Sequence, residues 1–428
     1  MKLTIKNIGK IKDAVIEFNG ISVIAGENNT GKSTVGKVLF AVCNSFYDLD
    51  RTIEANRRKS VENLVSRLYL ISGKRFITRN NEGVIADQII KRTGKYVNKR
   101  TELDLQEEII DIIEEYDENG GQNIDKKILA DVSSNILASL QVTDYEILTS
   151  IIEKRLEAEF SGQISNIFNE DHGDIRLEFK GRIFQAWVKG RGISKICNQV
   201  VLPVNADIIY IDDPFILDDY QMYLPPFFYG FFDHQSYLRS KINKLNKKAN
   251  VVDEIVVNEK LKSIFDKISF ACRGDIVFDK NHFVFREINT VKSLNLHNLS
   301  TGLKTFAMLK MLLLNNTISQ GSVLILDEPE IHLHPEWQVL FAEIIILLQK
   351  EFDLHILINT HSPYFLRAIE VFAAKHGMHG NCKYYLSENK GKGAIISDVT
   401  NNVEKIYEKL ARPLQTLENE RWSDASAE

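Results

Sequence analysis

Gly26, Gly31, Lys32 and Ser33 stand at the spacing G-x-x-x-x-G-K-S inside GENNTGKST, residues 26–34. Residues of these types at this spacing can cradle phosphate. The glycines let the backbone wrap so that successive N–H groups across Asn28, Asn29 and Thr30 point inward. Lys32 adds positive charge, Ser33 offers a hydroxyl to Mg²⁺, and Thr34 starts the next helix. The alternative is a glycine turn joining a strand to a helix.

Far downstream, VLILDEP ends an apolar run in two carboxylates. Asp327 is placed to hold the water shell of Mg²⁺, and Glu328 to orient and deprotonate an attacking water, because phosphoryl transfer asks a protein mainly for positioning and electrostatics. Read alone, Asp-Glu-Pro is also a strand-ending turn. Between the two motifs, NLSTGLKTF gives a second free helix N-terminus with the hydroxyl of Ser300, the close-approach glycine Gly302 and the cation Lys304. One nucleotide needs one cradle, so a second suggests that another chain's phosphate is read there; a plain serine N-cap is the alternative. His361 in ILINTHSP ends a strand where an imidazole can sense a γ-phosphate. His332 and His334 are spaced like metal ligands but have no third ligand near in sequence, and are read as loop residues at a subunit contact.

The elements that must position these groups follow from periodicity. LTIKNI, DAVIEF and ISVIA alternate as short strands leading into the glycine loop. Residues 46–170 are spaced mainly as helices, with Leu105, Ile109, Ile112 and Ile113 sharing one apolar face of a segment that ends at the glycine pair 120–121. A meander follows in DIRLEF, IFQAWV and ADIIYI, then an aromatic run containing PFFYGFF and the basic run LRSKINKLNKKAN. The last third reads as a hairpin (DIVFDKNHFVF), a helix (LKTFAMLKMLLL), a buried strand (SVLILDEP), a helix (PEWQVLFAEIIILLQK) and a strand (LHILINTHSP), which is α/β organisation.

Composition sets the outer limits. The 428 residues are 44% hydrophobic and 26% charged, as in an ordinary globular protein, and the net charge of −5 excludes a surface built mainly to coat nucleic acid. Four scattered cysteines without a CxxC pair fit reduced thiols, and no apolar run is long enough for a signal peptide or span. The expected location is cytoplasmic.

In order along the chain, Gly26–Thr34 resembles a Walker A motif, Leu299–Lys304 an ABC signature in the form LSxGxK, Val323–Glu328 a Walker B, Glu330–Pro335 a D-loop and His361 an H-switch. The set resembles the ABC-type ATPase heads of the Rad50/SMC and OLD-like groups, and DEPEIHLHP and NTHSP lean toward the OLD-like branch. The resemblance implies an α/β fold, a P-loop NTPase of ABC-ATPase head type, with a mixed sheet and an inserted, mostly helical region. The head would comprise residues 1–45 and 270–405, the insertion 46–269 would complete it and face a partner, and 406–428 would form a polar tail.

It further implies ATP and Mg²⁺ as ligands, with two heads sandwiching two nucleotides so that Ser300, Gly302 and Lys304 act on the other subunit's ATP. Slow, oligomer-dependent hydrolysis would follow. The family's Q-loop glutamine has no counterpart, and Asp212, after ADIIYI, is the substitute offered as a further metal ligand. The middle of the chain is too short for Rad50/SMC arms, and the 67 residues after His361 carry no acidic nuclease cluster. The similarity then narrows to ATPase subunits of Septu-type anti-phage systems, which work with a separate HNH nuclease. A DNA-repair ATPase that clamps DNA and a nucleotide-sensing switch with little hydrolysis are the other readings. DNA or RNA could meet Arg239, Lys241, Lys244, Lys247 and Lys248, although a solvated helix face explains those bases equally. No membrane partner is implied.

Overall fold

The computed structural model describes residues 1–71, 81–94, 100–115, 125–166, 168, 172–197, 200–218, 233–242, 251–279, 282–288 and 292–425. In chain order, β1 (Lys2–Ile8), β2 (Ile11–Glu17) and β3 (Ile21–Gly26) precede α1 (Lys32–Phe46). Five helices come next: α2 (Leu49–Ile71), α3 (Asn81–Thr93), α4 (Glu102–Glu115), α5 (Lys126–Gln141) and α6 (Asp144–Phe160). Then come β4 (Gly173–Phe179), β5 (Arg182–Lys189), β6 (Gly192–Ile196), β7 (Ile208–Ile211), α7 (His234–Ile242) and α8 (Val251–Ala271). The remainder is β8 (Gly274–Asp279), β9 (His282–Glu287), β10 (Ser293–Asn295), α9 (Thr301–Leu314), β11 (Val323–Asp327), α10 (Pro335–Phe352), β12 (His355–Thr360), α11 (Pro363–Lys375), β13 (Cys382–Lys390), β14 (Gly393–Asp398) and α12 (Glu404–Ala425).

The chain divides into two compact units, Asp48–Ile151 and the remainder, Met1–Tyr47 with Ile152–Glu428. The smaller unit is helical, and its core is the apolar stripe of each helix. Leu105, Ile109, Ile112 and Ile113 of α4 are fully buried with Val61, Val65, Ile85, Ile89 and Ile136, as the periodicity requires.

The larger unit is built on one mixed sheet of eleven strands in the order β6-β5-β4-β1-β2-β14-β13-β3-β12-β11-β7. Its centre is parallel: β3 lies between β13 and β12, β12 pairs with β11, and β11 with β7. Every residue of β3, β7 and β11 is buried, as expected of parallel strands covered on both faces. Period-two alternation sends Ile209, Ile211, Leu324 and Leu326 into the core shared with α8–α11. Tyr210 and Ile325 face the other way, onto α1 at Gly36. β8, β9 and β10 form a separate antiparallel sheet, with the hairpin where the alternation places it.

Two boundaries differ from the sequence reading. The segment 46–269 is not one insertion, because β4 pairs with β1 (Ile175 opposite Ile5) and β7 with β11, so β4–β7 extend the sheet of the larger unit. The second compact unit is Asp48–Ile151 alone. The expected polar tail is the helix α12, anchored by fully buried Ile406 and by the Tyr407 hydroxyl, which donates to Glu370. The PFFYGFF run, the glycine pair 120–121, Lys244, Lys247 and Lys248 lie outside the described residues. No helix among the described residues is long and apolar enough to cross a membrane.

Candidate active site

The chemistry-bearing groups gather where β3, β11 and β12 end at their C-terminal edges, the crevice that open parallel sheets offer to ligands. β3 runs into the loop 26–31. Gly26 sits opposite Ser387 of β13, whose carbonyl oxygen would stand 2.3 Å from a Cβ at that position. Gly31 caps α1 with a left-handed φ of 86°, a conformation glycine adopts without strain. The loop is tied from within: Thr30 Oγ1 donates to the Glu27 carbonyl at 2.8 Å, and Ser387 Oγ to that of Thr30 at 2.8 Å. Asn28, Asn29 and Ser33 are exposed, while Lys32 is 4% exposed and donates to the Gly26 and Glu27 carbonyls at 3.1 and 2.9 Å. Thr34 lies in the first turn of α1.

Beside the loop opens a cavity of about 610 Å³ lined by Lys10, Asn29, Gln163, Phe168, Asn389 and Lys392, among others. That is within the range of small-molecule sites.

Asp327 closes β11. Tyr210 of β7 donates to its Oδ2 at 2.9 Å, and Asn359 of β12, its register partner, donates to Oδ1 at 2.9 Å. Glu328 follows with φ of 50°, a left-handed backbone for a residue that is not glycine. Its carboxylate lies 3.6 Å from Lys32 Nζ and 3.5 Å from His361 Nδ1. The contact with His361 outweighs partial burial, and with the charges of His361 and Lys32 it holds the Glu328 carboxyl below its ordinary range. The same contact, against desolvation, raises His361, which also faces Glu330 at 3.6 Å. The structure therefore brings Lys32, Glu328 and His361 together.

The sequence reading gave no role to His234, Tyr210 or Glu159, and placed Glu330 only within a D-loop. Glu330, 2% exposed, accepts from Thr360 Oγ1 at 2.5 Å and from the His361 N–H at 3.1 Å. Burial pushes its carboxyl up in spite of those bonds. His234 stacks on Tyr210 with ring centroids 4.1 Å apart. Its Nδ1 lies 2.7 Å from Glu159 and its Nε2 2.8 Å from Asp212.

Burial of His234 opposes its charge, but the bonds to Asp212 and Glu159 and their charges prevail and raise the imidazolium from 6.5 to about 9. A raised folded value means that the stabilisation is complete below pH 6.5 and is lost as pH climbs through about 9. Urea unfolding should thus show stability declining by on the order of 3 kcal/mol across that window, and His234→Gln should flatten the slope.

Other expected residues fall elsewhere. Asp212 is engaged by His234 and by Gln235 Nε2 at 3.0 Å; burial works against its charge, yet these bonds hold its carboxyl low. It is a partner of His234 before it is a metal ligand. Lys304, 1% exposed, lies 2.7 Å from Asp218 and over the Phe215 ring, so its ammonium is spent within the chain. Ser300 is exposed at the N-cap of α9 and its hydroxyl caps nothing. Gly302 serves packing, since a Cβ would approach the Trp337 ring to 2.9 Å. His334 caps α10 and His332 packs edge-on to Phe215. Of the basic run, Lys241 is buried in an ion pair with Asp207 and adds nothing to a nucleic-acid surface.

Asp327 and Ser33 fit Mg²⁺ through their donors. Both offer hard oxygens, and each Asp327 oxygen retains acceptor capacity beyond its one hydrogen bond. Among the described residues, no group of three or more His, Cys, Asp or Glu side chains is arranged to hold a metal ion by itself.

The AAA_21 family model, described as "AAA domain, putative AbiEii toxin, Type IV TA system", matches residues 45–367. The "Retron Ec83 probable ATPase" of Escherichia coli is 28% identical over 201 residues, covering 42% of this chain and 33% of that protein. The chain thus spans about a third of that relative's length. Among solved structures, an SMC head bound to the C-terminal winged-helix domain of ScpA matches 93% of this chain and 96% of its own, at 10% identity and a TM-score of 0.43. The SMC head domain of Thermotoga maritima matches 93% and 98%, at 12% identity and a TM-score of 0.36.

Proposed function

We propose, from the premise that this chain belongs to the AAA_21 family, that it binds ATP with Mg²⁺ and hydrolyses it slowly between two copies of itself. The observation that carries this reading is the convergence of Lys32, Glu328 and His361 within 3.6 Å contacts at the end of the glycine loop. The triphosphate occupies the N–H groups of residues 26–31 and the start of α1. The nucleoside extends into the cavity beside Asn29. Mg²⁺ held by Ser33 and Asp327 supplies charge neutralisation across the phosphates. Glu328, kept ionised by its neighbours, accepts the proton of a water whose oxygen bonds to the γ-phosphorus as the bond to the β-bridging oxygen breaks and ADP departs. His361 faces Glu328 through its Nδ1 and marks the γ-phosphate end.

The exposed, uncommitted hydroxyl of Ser300 on α9 supports the second half of the site being supplied by a partner copy. In that arrangement nucleotide occupancy controls pairing, and pairing controls a separate effector. The motif resemblance to Septu-type ATPases supports an anti-phage setting with an HNH-type nuclease as that effector, and the retron-ATPase relative supports the ATPase half of the reading.

Complementation tests the core of this reading. Ser300→Phe alone should abolish turnover, and so should Glu328→Gln alone, but their mixture should regain part of it, since one site of each mixed pair is intact. Full activity in Ser300→Phe, or specific activity that does not change on dilution, would remove the two-copy site. ATP-dependent pairing without turnover in the unaltered protein would make it a nucleotide switch instead.

A further inference from the structure

We infer that Tyr210 is a positioning residue whose hydroxyl fixes the Asp327 carboxylate for its metal, an inference that rests on the reading of Asp327 as a Mg²⁺ ligand. The two oxygens of Asp327 are each held by one donor from a flanking strand, Tyr210 Oη from β7 and Asn359 Nδ2 from β12, both at 2.9 Å. Donors on opposite sides prevent rotation of the carboxylate and leave each oxygen a further lone pair.

A phenylalanine would fill the same volume, so the hydroxyl needs a reason. Space is reserved for it. Gly36 stands in the middle of α1, where glycine costs about 1 kcal/mol against alanine, and a Cβ there would come within 3.1 Å of both Tyr210 Oη and Cζ. The ring is locked from its other face by His234, stacked at 4.1 Å. His234 is itself fixed by Glu159, which accepts from its backbone N–H at 2.6 Å and meets Nδ1 at 2.7 Å, and by Asp212 at Nε2. The hydroxyl donates and the carboxylate accepts. The helix that follows the phosphate loop, the strand that ends in Asp327 and the His234 ion triplet therefore meet on one side chain.

The decisive measurement separates metal binding from nucleotide binding. Mn²⁺ is titrated by electron paramagnetic resonance into full-length protein carrying a non-hydrolysable ATP analogue, and the analogue's affinity is measured separately in EDTA. Tyr210→Phe should weaken Mn²⁺ about 10- to 100-fold, the usual effect of removing a partner of a metal-ligating group, with the metal-free affinity unchanged. Unchanged Mn²⁺ affinity overturns the inference, and so does an equal loss in EDTA, which would mean general damage to packing. If Tyr210→Phe does not fold, Tyr210→3-fluorotyrosine keeps the shape and alters only donor strength; no shift in Mn²⁺ affinity then overturns it. Asp327→Asn distinguishes the two levels. Undiminished Mn²⁺ binding in Asp327→Asn removes the ligand reading and this inference together, whereas a loss there with none in Tyr210→Phe removes only the role of Tyr210.

Discussion

Glu328→Gln should lower ATP turnover by roughly 10²- to 10⁴-fold, the range that one positioned general base contributes, while ATP is still bound and the paired form accumulates. The amide keeps the volume but cannot take a proton from water, and it gives up the attraction of Lys32 and His361 that holds the carboxylate ionised. The loop and the metal corner are untouched by this change. Single-turnover quench-flow gives the chemical step, and size exclusion with ATP gives the pairing. Turnover that survives in this variant would take Glu328 out of its role.

Gly26→Ala should have the largest effect on the cradle itself. A methyl group at this position would stand 2.3 Å from the Ser387 carbonyl oxygen, and that oxygen is backbone, so β13 and β3 must part where they are paired. Forced overpacking of this kind costs about 1–3 kcal/mol or more. The Thr30 carbonyl would also lose the hydroxyl of Ser387, so nucleotide binding should disappear in calorimetry together with a lowered melting temperature. An alanine variant that binds normally would show that the loop does not depend on its contact with β13.

What could be read in the sequence was local. The glycine loop, the Asp327–Glu328 pair and the buried strand before it are contiguous in the chain, so spacing alone defines them. The stripe Leu105, Ile109, Ile112 and Ile113 is legible for the same reason. Strand order was not, because β3 is flanked by β12 and β13, elements more than 300 residues downstream, and pairing at that separation leaves no trace in periodicity.

The same holds for side chains. Tyr210 lies 117 residues before Asp327, and Glu159 lies 75 before His234. Each looks like an ordinary strand or helix residue until the sheet closes. Lys304 belongs to a recognisable motif, yet its partner Asp218 is 86 residues upstream, so its occupation inside the chain was invisible. The one available hint was a tyrosine in the run IIYI, whose hydroxyl demands a partner when buried.

The left-handed backbone at Glu328 has a consequence for the protein's history. A β-carbon is strained there by about 1–2 kcal/mol, and glycine or asparagine would rest more easily. The chain thus keeps an uncomfortable acid at the one bend where comfort and usefulness diverge. Copies released from their task should drift at this position toward a sturdier, idle form, so the identity of residue 328 separates working relatives from retired ones.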